Sequence, residues 1–205
     1  MKPFIKKSLN KAVSYYVYRE LIKDLALNGE TTGPEQTEAL INYTKLNDRR
    51  MKRWDKTVKV TNINKRVIAS VTKPLTLLAI TESWCGDAAH VLPAINKVAE
   101  LNDNIDLKLV LRDENLELMD AYLTHGSRSI PKILFIDTKT GEVLHTYGPR
   151  PTEATNLVNR FKAKYGALTP EFKEDLQHWY NKNKGQNIIE DFTEILNKLE
   201  PVTSQ

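Results

Sequence analysis

The chain has 205 residues, 40% hydrophobic and 27% charged, with a formal net charge of +4, a composition within the range of ordinary soluble domains. No run approaches the roughly eighteen apolar residues of a membrane span, and charges scattered between Ser8 and Leu27 interrupt any signal-peptide core, so a cytoplasmic protein is expected. One cysteine and four histidines at no metal-ligand spacing argue against a disulfide scaffold and against zinc or another cofactor.

Charge is unevenly placed. Lys45, Arg49, Arg50, Lys52, Arg53, Lys56, Lys59, Lys65, Arg66 and Lys73 stand in one stretch against only Asp48 and Asp55. No nucleic-acid motif accompanies them, so the stretch reads as a solvated face or as an electropositive rim that steers acidic partners, and nucleic acid is not expected.

In chain order, Leu9, Val13, Tyr16, Val17, Leu21 and Leu25 recur every three or four residues and predict a first amphipathic helix ending near Asn28-Gly29, with Tyr15, Tyr18 and Ile22 broadening its apolar surface. Thr32-Gly33-Pro34-Glu35 reads as a capping box opening a second helix, whose buried stripe is Leu40, Tyr43, Met51, Trp54 and Val58. Ile63 to Val71 forms a short helix. Pro74 to Ile80 is a short apolar run that reads as a buried strand with a proline at its edge.

After the segment Thr81 to His90, Val91, Ile95, Val98, Ala99 and Leu101 recur at helical spacing. Ile105 to Leu111 alternates as a strand and completes a right-handed crossover with the first, giving a parallel pair. Asn115 to Leu123 makes a short helix stopped by His125-Gly126. Lys132 to Asp137, the turn Thr138 to Gly141, and Glu142 to Tyr147 form a hairpin. Pro149-Arg150-Pro151 opens a helix through Ala163, Thr169-Pro170 opens another, and Ile188, Ile189, Phe192, Ile195, Leu196 and Leu199 mark a last one.

Chemistry is sought at Cys85, which this order places between a strand and a helix start. Free backbone N–H groups and the positive end of a helix dipole lie there, and such a position lowers a thiol pKa from about 8.5 towards neutrality. Cys85 is therefore expected to be accessible and acidic. Asp87, in the first helical turn, is expected to satisfy backbone donors, although its charge opposes thiolate formation. His90 is expected to pair with Asp87 one turn earlier. Arg112 and Arg128 are candidates for positive potential near the thiol.

Trp84-Cys85-Gly86, with Pro93 eight positions after the cysteine, resembles the active-site helix of the thioredoxin family, and Gly126-Ser127-Arg128-Ser129-Ile130-Pro131 resembles that family's Gly-x-Arg-Gly-Ile-Pro run. The resemblance covers about Pro74 to Tyr165. It implies a thioredoxin fold in α/β class: a mixed sheet of about four strands, a parallel pair plus a hairpin, flanked by helices. No copy of the family's first strand is evident. Residues 1–73 are read as a helical N-terminal extension packed on the core, 74–165 as the thioredoxin-like domain and 166–205 as a C-terminal helical extension. The resemblance further implies a cis bond before Pro131 and a substrate groove formed by Trp84, Gly86, Asp87, Ala88, Ile130 and Pro131 around Cys85.

The sequence departs from the family where chemistry is concerned. Ala88 stands where thioredoxins carry their second cysteine, and Asp87 replaces the intervening proline, as in a bacterial branch with a single-cysteine Trp-Cys-Gly-Asp-Ala motif. The family's buried acid falls on Ala79 and its nearby lysine on Leu109. An internal disulfide cannot form. The expected activity is accordingly monothiol exchange, in which Cys85 forms a mixed disulfide with a protein or small-molecule thiol or disulfide and an external thiol resolves it. The alternative is a redox-inactive binding module using the groove beside Trp84 and Pro131. Its apolar helices require partners within the chain or in a second copy, so a monomer or homodimer is expected.

Overall fold

The computed structural model describes residues 1–200. In order, the elements are α1 (Pro3–Leu9), β1 (Val13–Ser14), α2 (Tyr15–Asn28), α3 (Glu38–Thr57), α4 (Asn62–Ala69), β2 (Leu75–Thr81), α5 (Ala88–Ala99), β3 (Ile105–Leu111), α6 (Leu116–Ala121), β4 (Lys132–Asp137), β5 (Val143–Tyr147), α7 (Thr152–Tyr165), α8 (Pro170–Asn183) and α9 (Gln186–Leu199). A mixed five-stranded sheet in the order β1-β3-β2-β4-β5 forms the centre. The central β2 runs parallel to β3, with Ala79 opposite Leu109, and antiparallel to β4, with Ala79 opposite Ile133. Every residue of β2 is buried, as expected for a strand covered on both faces.

One more strand is present than expected. Val13 and Ser14 pair antiparallel with Leu109 and Lys108, so a two-residue strand blunts the β3 edge that would otherwise invite association. The same strand corrects the first helix. The pattern from Leu9 to Leu25 is split into α1 and α2, and the buried face of α2 is Tyr15, Tyr18 and Ile22. Tyr16, Val17 and Leu21 are exposed instead. Ser14 caps α2, its side chain accepting from the Val17 N–H, and Gly29 ends it in the left-handed region.

The second helix starts later than the capping-box reading places it. Thr37 is the cap, accepting from the Leu40 N–H, while Thr32 is buried and tied to Ser83. The inward face of α3 carries Thr44, Asn47, Met51 and Trp54, and Tyr43 is exposed. The hydroxyl of Ser83 meets those of Thr31 and Thr44 at 3.1 and 2.8 Å, and Asn47 donates to the Ser83 carbonyl at 2.9 Å. These contacts fasten the α2–α3 loop and α3 to the segment preceding Cys85. At the other end of the chain, α9 buries Ile188, Ile189, Phe192 and Leu196, and Phe192 packs on Phe135 of β4 and Tyr147 of β5.

Candidate functional site

Cys85 sits just before α5, at the end of the loop that leaves β2. Its thiol donates to the carbonyl of Ile130 at 3.2 Å, and the Ile130–Pro131 peptide bond is cis. The loop of Ile130 and Pro131 thus meets Cys85 and its chain neighbours Trp84, Gly86 and Asp87, and Ala88 is buried in the first turn of α5. Gly148 supports this arrangement. Its φ is +108°, and a Cβ placed on it would lie 2.2 Å from the Pro131 carbonyl oxygen, so only glycine allows the chain leaving β5 to pass so close.

Cys85 is neither accessible nor acidic. It is 8% exposed, and burial pushes its thiol up to about 12, with the Asp87 carboxylate adding to the rise. The N–H groups of Ala88 and Asp87 and the Arg150 guanidinium pull the other way without overcoming burial. The helix start therefore does supply the expected stabilisation, but desolvation of the charged form is larger. At neutral pH the group beside cis-Pro131 is a protonated thiol.

Asp87 does not cap α5 with its side chain. One of its oxygens pairs with Arg150 Nη2 at 2.7 Å and the other accepts from the Tyr180 hydroxyl at 2.9 Å. Burial raises the Asp87 carboxyl above its ordinary range against the opposing pull of Arg150, Tyr180 and Arg50. His90 does not pair with Asp87 either. Its Nε2 meets Gln177 Oε1 at 2.8 Å, and its ring stacks on Tyr180 at 4.4 Å and against Trp54 at 4.8 Å. Burial lowers its pKa to about 3, so this imidazole is a neutral packing element between α5, α8 and α3.

The two arginines suggested as electrostatic support divide differently. The guanidinium of Arg112 lies 4.8 Å from the Trp84 ring and bonds Asp113 at 2.8 Å, so it braces the tryptophan with its charge shared. Arg128 is exposed and paired with Asp120 at 2.6 and 2.8 Å, and its charge is spent there. The cations that do reach the site are Arg150 and Arg50. An Arg50 nitrogen would lie 3.6 Å from a Cβ at Gly86. Arg150, Tyr180 and Gln177 come from segments distant in sequence, and no local pattern marks them. Glu82, three residues before Cys85, is also buried. It accepts from the Asp113 N–H at 2.9 Å, and burial raises its carboxyl. Ala79 and Leu109 lie in the apolar core.

A mixed sheet with a parallel central pair, a cysteine at the start of the helix after β2, and a cis-proline against its sulfur together define a protein of thioredoxin fold. A family model described as thioredoxin matches residues 33–165, and the chain belongs to the thioredoxin family. A crystal structure of a protein of unknown function from Pseudomonas aeruginosa is similar, with 17% identity and a TM-score of 0.59, covering 92% of this chain and 99% of its own. An HIV epitope-scaffold is similar to the same degree, with 16% identity and a TM-score of 0.56, covering 92% and 100%. No curated protein matches the chain. Among the described residues no helix is long and apolar enough to cross a membrane.

Proposed function

We propose that this protein is a thioredoxin-fold binding module in which Cys85 serves as a protonated, packed side chain of the groove. The observation that carries this reading is the state of the thiol: buried, hydrogen-bonded to the Ile130 carbonyl, and held far from its thiolate by desolvation and Asp87. Exchange requires a thiolate with access to a disulfide sulfur. Resolving a mixed disulfide within the chain also requires a second thiol, and Ala88 stands in that place. The groove elements implied by the family resemblance remain: Trp84 offers a half-buried ring braced by Arg112, and the cis-Pro131 loop lies beside it. Its occupant would be an extended segment of a protein partner laid along residues 128–131.

Monothiol exchange is the second reading, and one distance favours it. The sulfur lies 3.2 Å from the Ile130 carbonyl, beside the place where a family substrate chain would pass. This reading requires a bound partner to open the site and stabilise the thiolate.

The two are separated by selecting peptides from a displayed library on the full chain, in parallel with and without reductant, then retesting them on Cys85→Ser and Trp84→Ala. The binding-module reading expects Cys85→Ser to retain binding and Trp84→Ala to lose it. Ligands found only without reductant, lost in Cys85→Ser and trapped as mixed disulfides would establish exchange instead.

A further inference from the structure

The outward face of α3 carries a row of cations that the fold leaves unneutralised. Lys45, Arg49, Lys52 and Lys56 follow one another at i, i+4, i+7 and i+11, opposite the buried face formed by Thr44, Asn47, Met51 and Trp54. All four cations are exposed. The acids interspersed among them are turned away, because Arg19 of α2 takes both Asp48 and Asp55 at 3.1 Å. Glu38, two turns before Lys45, occupies the first turn, where the helix dipole favours a carboxylate. None of the four cations has an ion-pair partner among the described residues.

At the C-terminal end of this row, a cavity of about 420 Å³ opens between α3 and the α8–α9 corner. Trp54, on the buried side of α3, and Val58 line it, and Arg53, Lys59 and Lys184 supply further cations around it. Arg53 bonds only the neutral amide of Asn181, so its charge also remains available.

We propose that this face of α3 is a docking surface for an acidic segment of a partner protein, with carboxylates along the cation row. Charge complementarity selects the acidic partner. The row extends about 16 Å at 1.5 Å per residue, with cations about one turn apart. That spacing matches carboxylates one turn apart on a partner helix, or on alternate residues of an extended chain at about 6.6 Å. Nucleic acid fits less well. The row presents no aromatic face for a base to stack on, and Trp54 is only 3% exposed. The surface does not depend on Cys85, so it holds under either reading of the thiol.

The test is fluorescence anisotropy of the full chain with a labelled acidic peptide of about fifteen residues, bearing Glu at helical spacing. Binding should weaken about tenfold between roughly 50 and 300 mM salt. Lys52→Glu with Lys56→Glu should lower affinity about tenfold or more, while Lys162→Glu with Lys164→Glu on α7, an equal change in net charge, should leave it within about twofold. If the glutamate pair perturbs the circular dichroism spectrum, Lys52→Gln with Lys56→Gln removes the charge more gently and should still weaken binding. Equal losses on α3 and α7, an absence of binding at low salt, or an oligothymidylate of equal charge binding as tightly as the peptide would each overturn the proposal.

Discussion

Replacing Asp87 by Asn should make the protein less stable and its thiol more acidic, two effects of opposite tendency from one removed charge. The carboxylate side chain is 11% exposed and its partner Arg150 25%. Breaking a buried pair by removing one member costs about 3–5 kcal/mol, because the other charge is stranded. Water reaches Arg150, and an Asn oxygen can still accept from Tyr180, so about 2–3 kcal/mol is expected. For a domain of this size each kcal/mol lowers Tm by roughly 2–4 °C, which gives a fall of about 4–12 °C. Asp87 is the largest influence after burial that raises the Cys85 pKa. Its loss should therefore move the alkylation profile to lower pH, with about a tenfold rate gain at fixed pH for each unit the pKa falls. Arg150→Gln should also destabilise but should slow alkylation, since Arg150 pulls the thiol down. Calorimetry and native-state iodoacetamide kinetics on both variants and on the double variant supply a thermodynamic cycle, with a coupling of about 1 kcal/mol or more. If both variants melted like the parent, or if both shifted the alkylation profile the same way, the electrostatic account of the site would be refuted.

Other outcomes follow from the same geometry. His90 is held neutral with its pKa lowered to about 3, so between the ordinary histidine value and that pH the unfolded chain binds the extra proton. This contribution to stability is present above about pH 6.5 and is lost as pH falls; a His90→Phe variant should show a flatter fall in urea midpoint over that range, and an unchanged slope would count against a buried neutral imidazole. Gly148→Ala should cost about 2–4 kcal/mol, from the positive φ and the collision with the Pro131 carbonyl; a variant that melts within a degree of the parent would contradict the close approach. The parent should fail to reduce insulin with dithiothreitol as electron source, while Ala88→Cys gains measurable activity if the groove still admits substrate; a folded Ala88→Cys protein with no gain places the divergence beyond the missing thiol. Deleting residues 1–60 removes Tyr18, Ile22, Met51 and Trp54 from the core and should abolish a cooperative melt, whereas a monomeric truncation with a sharp transition would make the first helices an appendage.

The elements most legible in the sequence are those whose signals are local. The β2 run, the alternation of β3, the turn between β4 and β5, and the Ile130-Pro131 motif each declare themselves within a few residues, and the structure has them in place. The N-terminal region is less legible for a physical reason. Leu9, Val13, Tyr16, Val17 and Leu21 satisfy a helical period, but the two-residue β1 interrupts it, and the inward Tyr15 and Tyr18 flank Tyr16 and Val17, which face out. In the site, Cys85 and its neighbours were legible, whereas its ionisation was not. Helix position alone predicts an acidic thiol, but the burial that reverses it comes from packing across the fold. The partners of Asp87 and His90 are 63 to 93 residues away in the chain and belong to the segment leading into α7 and to α8, beyond the reach of near-neighbour pairing rules.

Native-state alkylation of Cys85 from about pH 6 to about pH 10, a window that brackets the ordinary thiol pKa, compared with the same reaction in denaturant, bears most directly on the state of the thiol. The binding-module account predicts slow labelling of the folded protein with no inflection near the ordinary thiol value, and full labelling once the chain is unfolded. Rapid stoichiometric labelling of the folded protein with an inflection at or below about 8.5 would contradict it and make Cys85 a working nucleophile.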